Sequence, residues 1–317
     1  MLNNKMSQKK KILVIGSINI DFVIKIPRIP LAGQNIFGTD FKIIPGGKGA
    51  NQAIAVARLG KNCVSLIAGK VGKDYFGNYC LKKLEQNKVI TDYVEKDSKI
   101  HTGTALVMVT NEGENSIVIA TGANGQFLKE SAKSHESLIK NVDIILLQLE
   151  LPVDSVSEVI EIASKFNKST ILDAGPPCYK PISSFFKTTI ITPNKEEAEA
   201  LSGISIKKIE DAFKVAKYFV KKGNKAAVIK LGKDGAVLVS EGLEKYYSPY
   251  NVKVIDTTAA GDAFTAALSV AIAEGMDLKE AVGFANAAGN IAVTKFGAQS
   301  SMPYREELDK FILEIKI

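Results

Sequence analysis

The stretch DTTAAGDAFTAALSVAIAEG, from Asp256 to Gly275, joins a segment of polar and small residues to a long apolar run. The run AFTAALSVAIA is apolar on nearly every side, which predicts a buried helix. Gly275 stands where the C-terminal cap of that helix belongs, and Asp262 lies at its start. The preceding NVKVID, residues 251–256, is typical of a strand. The stretch therefore predicts a strand, a tight turn and a buried helix with a carboxylate in its first turn.

Asp262 has two interpretations at this position. Aspartate is a favoured N-cap and suits the positive end of the helix dipole, which would make its role structural. However, Ala259, Ala260 and Gly261 have almost no side chains, and an N-cap does not require that. A bound group that approaches the backbone closely does require it. Unpaired N–H groups at a helix start form an anion site, and phosphate is the anion that this site suits best.

An anion site beside a carboxylate is the arrangement that phosphoryl transfer to a hydroxyl group uses. The N–H groups stabilise the charge on the transferred phosphoryl group, while the carboxylate aligns the hydroxyl and accepts its proton. We expect the helix start to keep Asp262 ionised, and therefore a weak base. A weak base suffices where the transition state is loose and the proton leaves late.

Apolar runs of strand length alternate with helical patterns along most of the chain. The predicted strands are ILVIG (12–16), VSLIAG (64–69), DIILLQLE (143–150), STILDA (169–174), TTIITP (188–193) and AAVIKLG (226–232). Helical patterns cover 50–60 and 195–222. Nearly continuous apolar strands separated by helices indicate a parallel sheet covered on both faces, an α/β fold. Ligands of such sheets bind beyond the carboxyl ends of the strands.

Two segments break this alternation. Residues 22–46 contain strand-like pieces, prolines and glycines but no helical pattern, and residues 102–124 are typical of a hairpin with NEGEN (111–115) at its turn. Together they predict a small separate β-sheet, which would suit a lid over a binding site.

The stretch PGGKGANQA, from Pro45 to Ala53, carries three glycines and a lysine ahead of a helix. It is not a Walker A loop, because Gly49 follows the lysine, and it is not GxGxxG, because Gln52 replaces the last glycine. A tight turn with an exposed lysine explains the pattern. Capture of a polar ligand by Lys48 and Asn51 explains it equally well.

The stretch GSINID places Asn19 and Asp21 after a buried strand. Because they are two residues apart, an extended chain points both to the same side. The pair could hydrogen-bond vicinal hydroxyl groups of a ligand, or the two residues could be turn residues that end a strand. Glu150 ends LLQLE and is a weaker candidate of the same kind.

The stretch TPNKEEAEAL places Asn194 three residues before Glu197, which is typical of a capping box. KDG (233–235) lies between two apolar runs and predicts a hairpin turn. With only His101 and His135 in the chain, histidine-based triads and metal clusters have little support.

Composition excludes several classes of protein. The net charge is +7, but the basic residues are scattered, which indicates a solvated surface and no nucleic-acid partner. Cys63, Cys80 and Cys178 stand far apart without a CxxC pair, which suits a reducing cytoplasm. The N-terminal KKKILVIGSINIDF predicts a core strand and no signal peptide. We find no run of the ~18 apolar residues that a membrane span needs.

The motifs together resemble the PfkB-type family of sugar and nucleoside kinases and, within it, the ribokinase group. GSINID, GGKGANQA, LLQLE, TPNKEE, DTTAAGD and IAVTKFGAQSS (291–301) occur in the family's order between Ile12 and Ile312. GGKGANQA and DTTAAGD are highly specific in combination. The resemblance implies one three-layer ribokinase-like α/β domain over residues 1–317, with a mostly parallel central sheet. The segments 22–46 and 102–124 match the family's β-lid, through which many members form homodimers.

The resemblance also implies roles for particular residues. Asp262 would be the catalytic base, with the backbone of Ala259, Ala260 and Gly261 as the anion hole. Sugar contacts are implied for Asn19, Asp21, Gly47, Lys48, Asn51, Glu150 and Asp262. ATP contacts are implied for Asn194, Lys230, Gly232, Lys233, Asp234, Gly235, Gly261 and Asn286. A K⁺ site is implied at Asp256, Thr258, Ala292, Lys295, Gly297 and Ser301, and Glu197 would help to organise Mg²⁺ and phosphate.

The implied reaction is ATP-dependent phosphorylation of D-ribose at its 5-hydroxyl in the cytoplasm. The alternatives are a kinase of 2-deoxyribose, of another sugar or of a nucleoside, or a catalytically silent protein that binds sugar or nucleotide. The chain departs from the family pattern at DAGPP (173–177), at Ala263 and Thr265, and at Lys230. None of these positions belongs to the anion hole or to the Asn19/Asp21 pair.

Overall fold

A central β-sheet and a second, small β-sheet form the scaffold of the computed structural model, which describes residues 9–112 and 115–314. The strands are β1 Lys10–Ile15, β2 Asn19–Ile26, β3 Thr39–Gly46, β4 Cys63–Gly72, β5 Ile90–Asp97, β6 Gly103–Thr110, β7 Asn115–Ala120, β8 Ile144–Gln148, β9 Ser169–Asp173, β10 Ile190–Ile191, β11 Ala226–Lys230, β12 Ala236–Ser240 and β13 Leu243–Tyr247.

The central sheet has nine strands in the order β13-β12-β11-β10-β9-β8-β1-β4-β5. All neighbouring pairs from β11 to β5 are parallel, and β12 and β13 add an antiparallel edge. The strand order reverses between β1 and β8, which makes the carboxyl ends of these strands the place where a ligand is expected. The six strands predicted between residues 12 and 232 lie in this sheet, and the predicted mostly parallel α/β architecture is confirmed.

Helices cover both faces of the central sheet. They are α1 Lys48–Leu59, α2 Tyr75–Gln86, α3 Lys129–Ser134, α4 Glu136–Lys140, α5 Val153–Lys165, α6 Lys195–Ser202, α7 Ile209–Lys222, α8 Ala260–Ala273, α9 Leu278–Ala292 and α10 Arg305–Glu314. Ile12 and Val14 face a core built with α1, α2, α8, α9 and α10. Leu13 and Ile15, which alternate with them, face a second core built with α3 to α7. The result is the predicted three-layer arrangement.

The small sheet has the order β3-β2-β6-β7 and is built from the two segments that break the strand–helix alternation. β6 and β7 form the predicted antiparallel hairpin. Gly113 and Glu114 of its turn lie outside the described residues. Because Asn19 begins β2 and Gly46 ends β3, this sheet joins the central sheet beside the start of α1.

Two local predictions differ from the structure. Residues 251–256 were expected to form a strand, but they form none among the described residues. The chain there runs outside the sheet, and the N–H groups of Ile255 and Asp256 donate to the carbonyl of Val293. The helical pattern over 195–222 is two helices, because Gly203 at φ 71° ends α6 in the left-handed conformation.

The cysteines at 63, 80 and 178 are free thiols. Across residues 9–112 and 115–314, no helix is long and apolar enough to cross a membrane.

Candidate active site

The start of α1 is held against the end of β1 by close backbone contact. Gly47, at φ 89°, precedes the helix, and a Cβ there would lie 2.8 Å from the carbonyl oxygen of Ser17. The backbone N–H of Ala50 donates to that same carbonyl at 3.0 Å. Glycine is required because both the backbone conformation and the space exclude a side chain. This turn directs Lys48 and Asn51 toward the carboxyl end of the sheet.

The start of α8 lies beside the start of α1. Ala259 precedes α8 in the left-handed conformation at φ 59°, and no described side chain caps the helix. The first N–H groups of a helix have no intrahelical partner. Ala259, Ala260 and Gly261 line a cavity, and the N–H of Ala260 also donates to the carbonyl of Thr257 at 3.4 Å. This is the place predicted for the anion site.

Asp262 is the third residue of α8 and does not cap it. Its Oδ2 accepts a hydrogen bond from Asn51 Nδ2 at 2.9 Å, and its Oδ1 accepts one from Gln52 Nε2 at 3.2 Å. Lys48 Nζ lies 4.0 Å from Oδ1. The carboxylate is therefore held by α1, and the N-cap interpretation of Asp262 is wrong.

The expectation that the helix start makes Asp262 a weak base is wrong, although Asp262 is still mostly ionised at neutral pH. Burial raises the pKa of Asp262 to about 6, against the opposing effect of the Lys48 charge. The neighbouring carboxylate of Asp173 adds to the rise. Desolvation is the largest cause because Asp262 is only 3% exposed. A base with this pKa accepts a proton near neutral pH more readily than an ordinary aspartate does.

One cavity, of about 490 Å³, lies between the small sheet and the starts of α1 and α8. All the residues to which the resemblance assigns sugar contacts line it: Asn19, Asp21, Gly47, Lys48, Asn51, Glu150 and Asp262. Apolar side chains of the small sheet, among them Val107, Ile117 and Ile119, close its other side. We call it the small-sheet cavity.

The polar groups of the small-sheet cavity are held by further hydrogen bonds. Asn124 Nδ2 donates to Asn19 Oδ1 at 2.7 Å, which leaves Asn19 Nδ2 as the donor on the cavity wall. Glu150 accepts hydrogen bonds from the Ser17 hydroxyl and the Lys48 backbone N–H. Burial, with a smaller contribution from Glu150, raises the pKa of Asp21 to about 7. These groups can donate to and accept from several hydroxyls on a small ring.

Asn51 carries a buried acceptor without a partner among the described residues, its Oδ1. The orientation of this amide is fixed, because the reverse would point Oδ1 at the Asp262 carboxylate. An unpaired buried acceptor is costly. A hydroxyl donor of a bound molecule would satisfy it.

A second cavity, of about 810 Å³, lies on the other side of the start of α8. We call it the α8–α9 cavity. The residues with implied ATP contacts that line it are Asn194, Lys230, Gly232, Lys233, Gly235, Gly261 and Asn286. Asp234 lies in the same turn but outside this lining, and its backbone carbonyl accepts a hydrogen bond from Tyr246. The wall of the α8–α9 cavity also contains Tyr250, Val252, Phe264 and Val293. Their apolar surface suits a flat heterocyclic base.

The two cavities meet at a common wall. Lys48, Val254, Thr257, Ala259 and Asp262 line both. The resemblance assigns Lys48 a sugar contact, and its position gives it access to the second cavity as well. The pKa of Lys48 is raised: burial alone lowers it, and the carboxylates of Asp173, Asp262, Glu197 and Glu150 more than offset that effect. Lys48 is therefore a cation at neutral pH, at the point where two ligands would touch.

Glu197 occupies the predicted capping box. Its Oε2 accepts from the Asn194 backbone N–H at 2.7 Å, and Asn194 Oδ1 accepts from the Glu197 N–H at 2.9 Å. Burial, with a contribution from Asp173, raises the pKa of Glu197. Since the cap uses one carboxylate oxygen, the other remains for a hard cation such as Mg²⁺.

The implied K⁺ ligands lie in the loop before α8, at Ala292, which ends α9, and in the loop after α9. Asp256 Oδ1 accepts from the N–H and hydroxyl of Thr258, and its Oδ2 accepts from the Gly297 N–H at 2.8 Å. Ser301 is fully buried and donates to the carbonyl of Ala298, whereas the Lys295 ammonium is paired with Glu307. Carboxylate, hydroxyl and carbonyl oxygens suit a hard cation. Among the described residues, no group of three or more His, Cys, Asp or Glu side chains could hold a metal ion.

Sequence reasoning missed residues that orient this site. Gln52 Nε2 donates to both Asp173 and Asp262, and Gln148 Nε2 donates to Gln52 Oε1 at 2.6 Å, which fixes the amide. Asn124 fixes Asn19 in the same way. No local pattern marks these residues, because their partners come from distant parts of the chain.

A buried carboxylate at the start of a helix, between two cavities, fits a phosphotransferase that acts on a small hydroxylated molecule. The chain belongs to the pfkB family of carbohydrate kinases, whose pattern matches residues 9–305.

Its relatives share most of its length. It is 37% identical over 303 residues to a ribokinase of Bacillus subtilis, covering 96% of this chain and 99% of the relative. It is 35% identical to a ribokinase of Mus musculus, covering 94% and 93% of the two chains. Ribokinase of Thermotoga maritima has a similar structure, with a TM-score of 0.86, 36% identity and coverage of 95% and 99%.

A further solved structure is that of Arabidopsis thaliana ribokinase complexed with ribose and ATP. It superimposes with a TM-score of 0.88 at 33% identity, over 96% of this chain and 99% of that chain. The predicted family and fold are confirmed.

Proposed function

We propose that this protein is a ribokinase, which transfers the γ-phosphoryl group of ATP to the 5-hydroxyl of D-ribose. The observation that carries the proposal is the common wall of the two cavities, where Asp262 and Lys48 face both. The similarity to curated ribokinases over nearly the whole chain supports ATP and ribose as the ligands. A silent binding protein would not need a buried, pKa-shifted carboxylate at the contact point.

The two cavities fit the two substrates. In this proposal ribose binds in the small-sheet cavity, where Asn19, Asp21, Asn51 and Glu150 engage its hydroxyls. ATP binds in the α8–α9 cavity, with its base against the apolar wall and its phosphates directed to the start of α8. The residues that we expect to contact the nucleotide are Asn194, Lys230, Gly232, Lys233, Gly235, Gly261 and Asn286.

The chemistry follows from this placement. The ribose oxygen forms a bond to the γ-phosphorus, the bond to the β–γ bridging oxygen breaks, and ADP leaves. Asp262 accepts the hydroxyl proton. The N–H groups at the start of α8 and the Lys48 ammonium stabilise the negative charge on the transferred group. Asn51 and Gln52 hold the Asp262 carboxylate, so little reorganisation accompanies the step.

Two cations are part of the proposal. Mg²⁺ would neutralise phosphate charge, and Glu197 is the side chain that would organise it. K⁺ would be held by oxygens of Asp256, Thr258, Ala292, Lys295, Gly297 and Ser301, several of them backbone carbonyls. The Asp256–Gly297 hydrogen bond joins the loop before the anion site to the loop after α9, so an ion there would order the anion site.

The small sheet would act as a lid and as a dimer interface. One face lines the small-sheet cavity. On the other face Phe41, Ile43, Leu106 and Val118 are between 42% and 60% exposed. An apolar patch on a sheet is a candidate surface for association. Val118→Lys should convert a dimer into a monomer in light scattering, and an unchanged mass would contradict this interface.

The direct test of the proposed reaction is a sugar panel with ATP. We expect ADP release that depends on D-ribose, with a product whose ³¹P spectrum identifies a 5-phosphate. Preference for 2-deoxyribose, another sugar or a nucleoside would replace ribose with that substrate. Nucleotide binding without turnover on any sugar would support the silent binding protein.

A further inference from the structure

Asp173 is a fully buried carboxylate between two lysines of the site. It ends β9, and its Oδ1 lies 2.7 Å from Lys230 Nζ. Its Oδ2 accepts from Gln52 Nε2 at 2.8 Å and lies 4.0 Å from Lys48 Nζ. The mechanism above gives Asp173 no task.

Lys230 ends β11 and lies beside the first turn of α8. Its side chain is only 11% exposed, yet it lines the α8–α9 cavity. A Cβ built on Gly261 would lie 3.4 Å from Lys230 Nζ, so the ammonium stands directly beside the anion site. One of its three donors is used on Asp173, and Thr265 Oγ1 is a distant second partner at 3.5 Å. The ammonium therefore keeps at least one donor free of these partners, and the Lys230 side chain lines the cavity.

A buried ion pair is weak evidence for stability alone. Removing both charges from water is expensive, and apolar residues of similar size are often as stable. The position of this pair is therefore better explained by the positive charge that Lys230 places beside the start of α8. Without Asp173, a long and flexible lysine side chain would have no fixed position beside α8.

We propose that Asp173 is a positioning residue that holds Lys230 beside the start of α8, and that Lys230 contacts the transferred phosphoryl group. Lys48 then approaches that group from α1 and Lys230 from β11. No proton or covalent bond changes hands at Lys230, which supplies charge only. The inference rests on the proposed kinase activity.

The test is a double-mutant cycle with Asp173→Asn and Lys230→Met. Each single variant leaves one buried charge without its nearest partner, so each should lower the melting temperature by about 10 °C. The double variant removes both charges and should recover most of that loss. Its kcat should nevertheless stay about 100-fold below the parent, because the Lys230 charge is missing from the transition state. Its KM for ribose should be unchanged.

A purely structural pair gives a different result. In that case the double variant would recover kcat together with melting temperature, and the inference would be overturned. The matched control is Arg305 with Glu274, 2.6 Å apart and 10% and 11% exposed, which lines neither cavity. Arg305→Met should lower the melting temperature without lowering kcat at 25 °C.

Nucleotide titration gives a readout that does not need turnover. The double variant should lose about tenfold in affinity for the non-hydrolysable analogue AMP-PNP while keeping its affinity for ADP, because only the former carries a γ-phosphate. Equal losses for both nucleotides would contradict the γ-phosphate contact. A parent protein without ribose-dependent turnover would instead contradict the proposed function, so the two failures are distinguishable.

Discussion

Asn51 holds Asp262 by a hydrogen bond of 2.9 Å from its Nδ2 to Oδ2, while its own Oδ1 is left without a partner among the described residues. The two residues are 211 positions apart in the chain and lie in the first turns of two helices that pack side by side. This contact shapes both the reactivity of Asp262 and the stability of the fold.

Asp262→Asn should make the protein more stable at pH 8. The pKa of Asp262 is about 6 in the folded protein and near 3.8 in the unfolded chain, so the folded state binds the proton more tightly. The stability that this tighter proton binding adds to the folded protein is fully present below pH 3.8 and is lost as the pH rises through 6. An uncharged asparagine avoids the loss, and Asn51 can turn its free Oδ1 toward the new amide. We expect a gain of about 1–3 kcal/mol.

The gain should be measured by urea unfolding at pH 8 and pH 4. It should shrink toward zero at pH 4, where Asp262 is already protonated in the folded protein. A variant that is less stable than the parent at pH 8 would contradict the raised pKa.

The pH dependence of kcat should show an acid limb near pH 6 at saturating ribose. Activity rises with pH because Asp262 must be ionised to accept a proton. The groups that face this carboxylate are Lys48, Asp173, Asn51 and Gln52. Lys48→Met removes the charge that lowers the pKa of Asp262, so the limb of this variant should move to higher pH. An unmoved limb would assign it to another group.

Asn19 should contribute to the choice of sugar. A site that hydrogen-bonds a hydroxyl discriminates against the analogue without it, so D-ribose should exceed 2-deoxy-D-ribose in kcat/KM by at least about tenfold, or about 1.4 kcal/mol. Asn19→Asp keeps the acceptor that Asn124 needs but replaces the donor on the cavity wall. This variant should lower kcat/KM mainly for ribose, so the ratio of kcat/KM between the two sugars should become smaller.

The matched control for this substitution is Asn78→Asp. Asn78 is exposed on α2, and its Oδ1 accepts a hydrogen bond from Lys96. Asn78→Asp should leave kcat/KM for both sugars unchanged. A parent that used the two sugars equally would defeat the ribose assignment, whatever the variant does.

K⁺ should raise kcat over Na⁺ by about fivefold, equivalent to about 1 kcal/mol of transition-state stabilisation. The reason is that an ion near Asp256 orders the loop that carries the anion site. Asp256→Asn should reduce the difference between the two salts, with choline chloride as the control for ionic strength. Identical rates in K⁺ and Na⁺ would remove the monovalent site.

The sequence predicts this site where one local pattern carries the chemistry. Three small residues before Asp262, and glycines before Lys48, are visible in the chain and mark the two helix starts that meet in the structure. The capping box of Asn194 and Glu197 is visible for the same reason. Local patterns also predicted most strands of the central sheet.

Features that depend on long-range packing could not be predicted in this way. Asp173 and Lys230 are 57 positions apart and meet only because β10 alone separates β9 from β11. The raised pKa of Asp262 follows mainly from burial in the folded protein, which the place of Asp262 at the start of α8 does not reveal. Residues 251–256 have the composition of a strand, but no partner strand among the described residues lies beside them.

The most direct test of the central claim is ribose-dependent ADP release by the parent and by Asp262→Asn at pH 8 with saturating ATP. The account predicts turnover in the parent and a loss of roughly 10²- to 10⁴-fold in kcat for the folded variant, the usual contribution of a general base. Circular dichroism and AMP-PNP binding should match between the two proteins. Near-parental kcat in Asp262→Asn would contradict the claim that Asp262 accepts the hydroxyl proton.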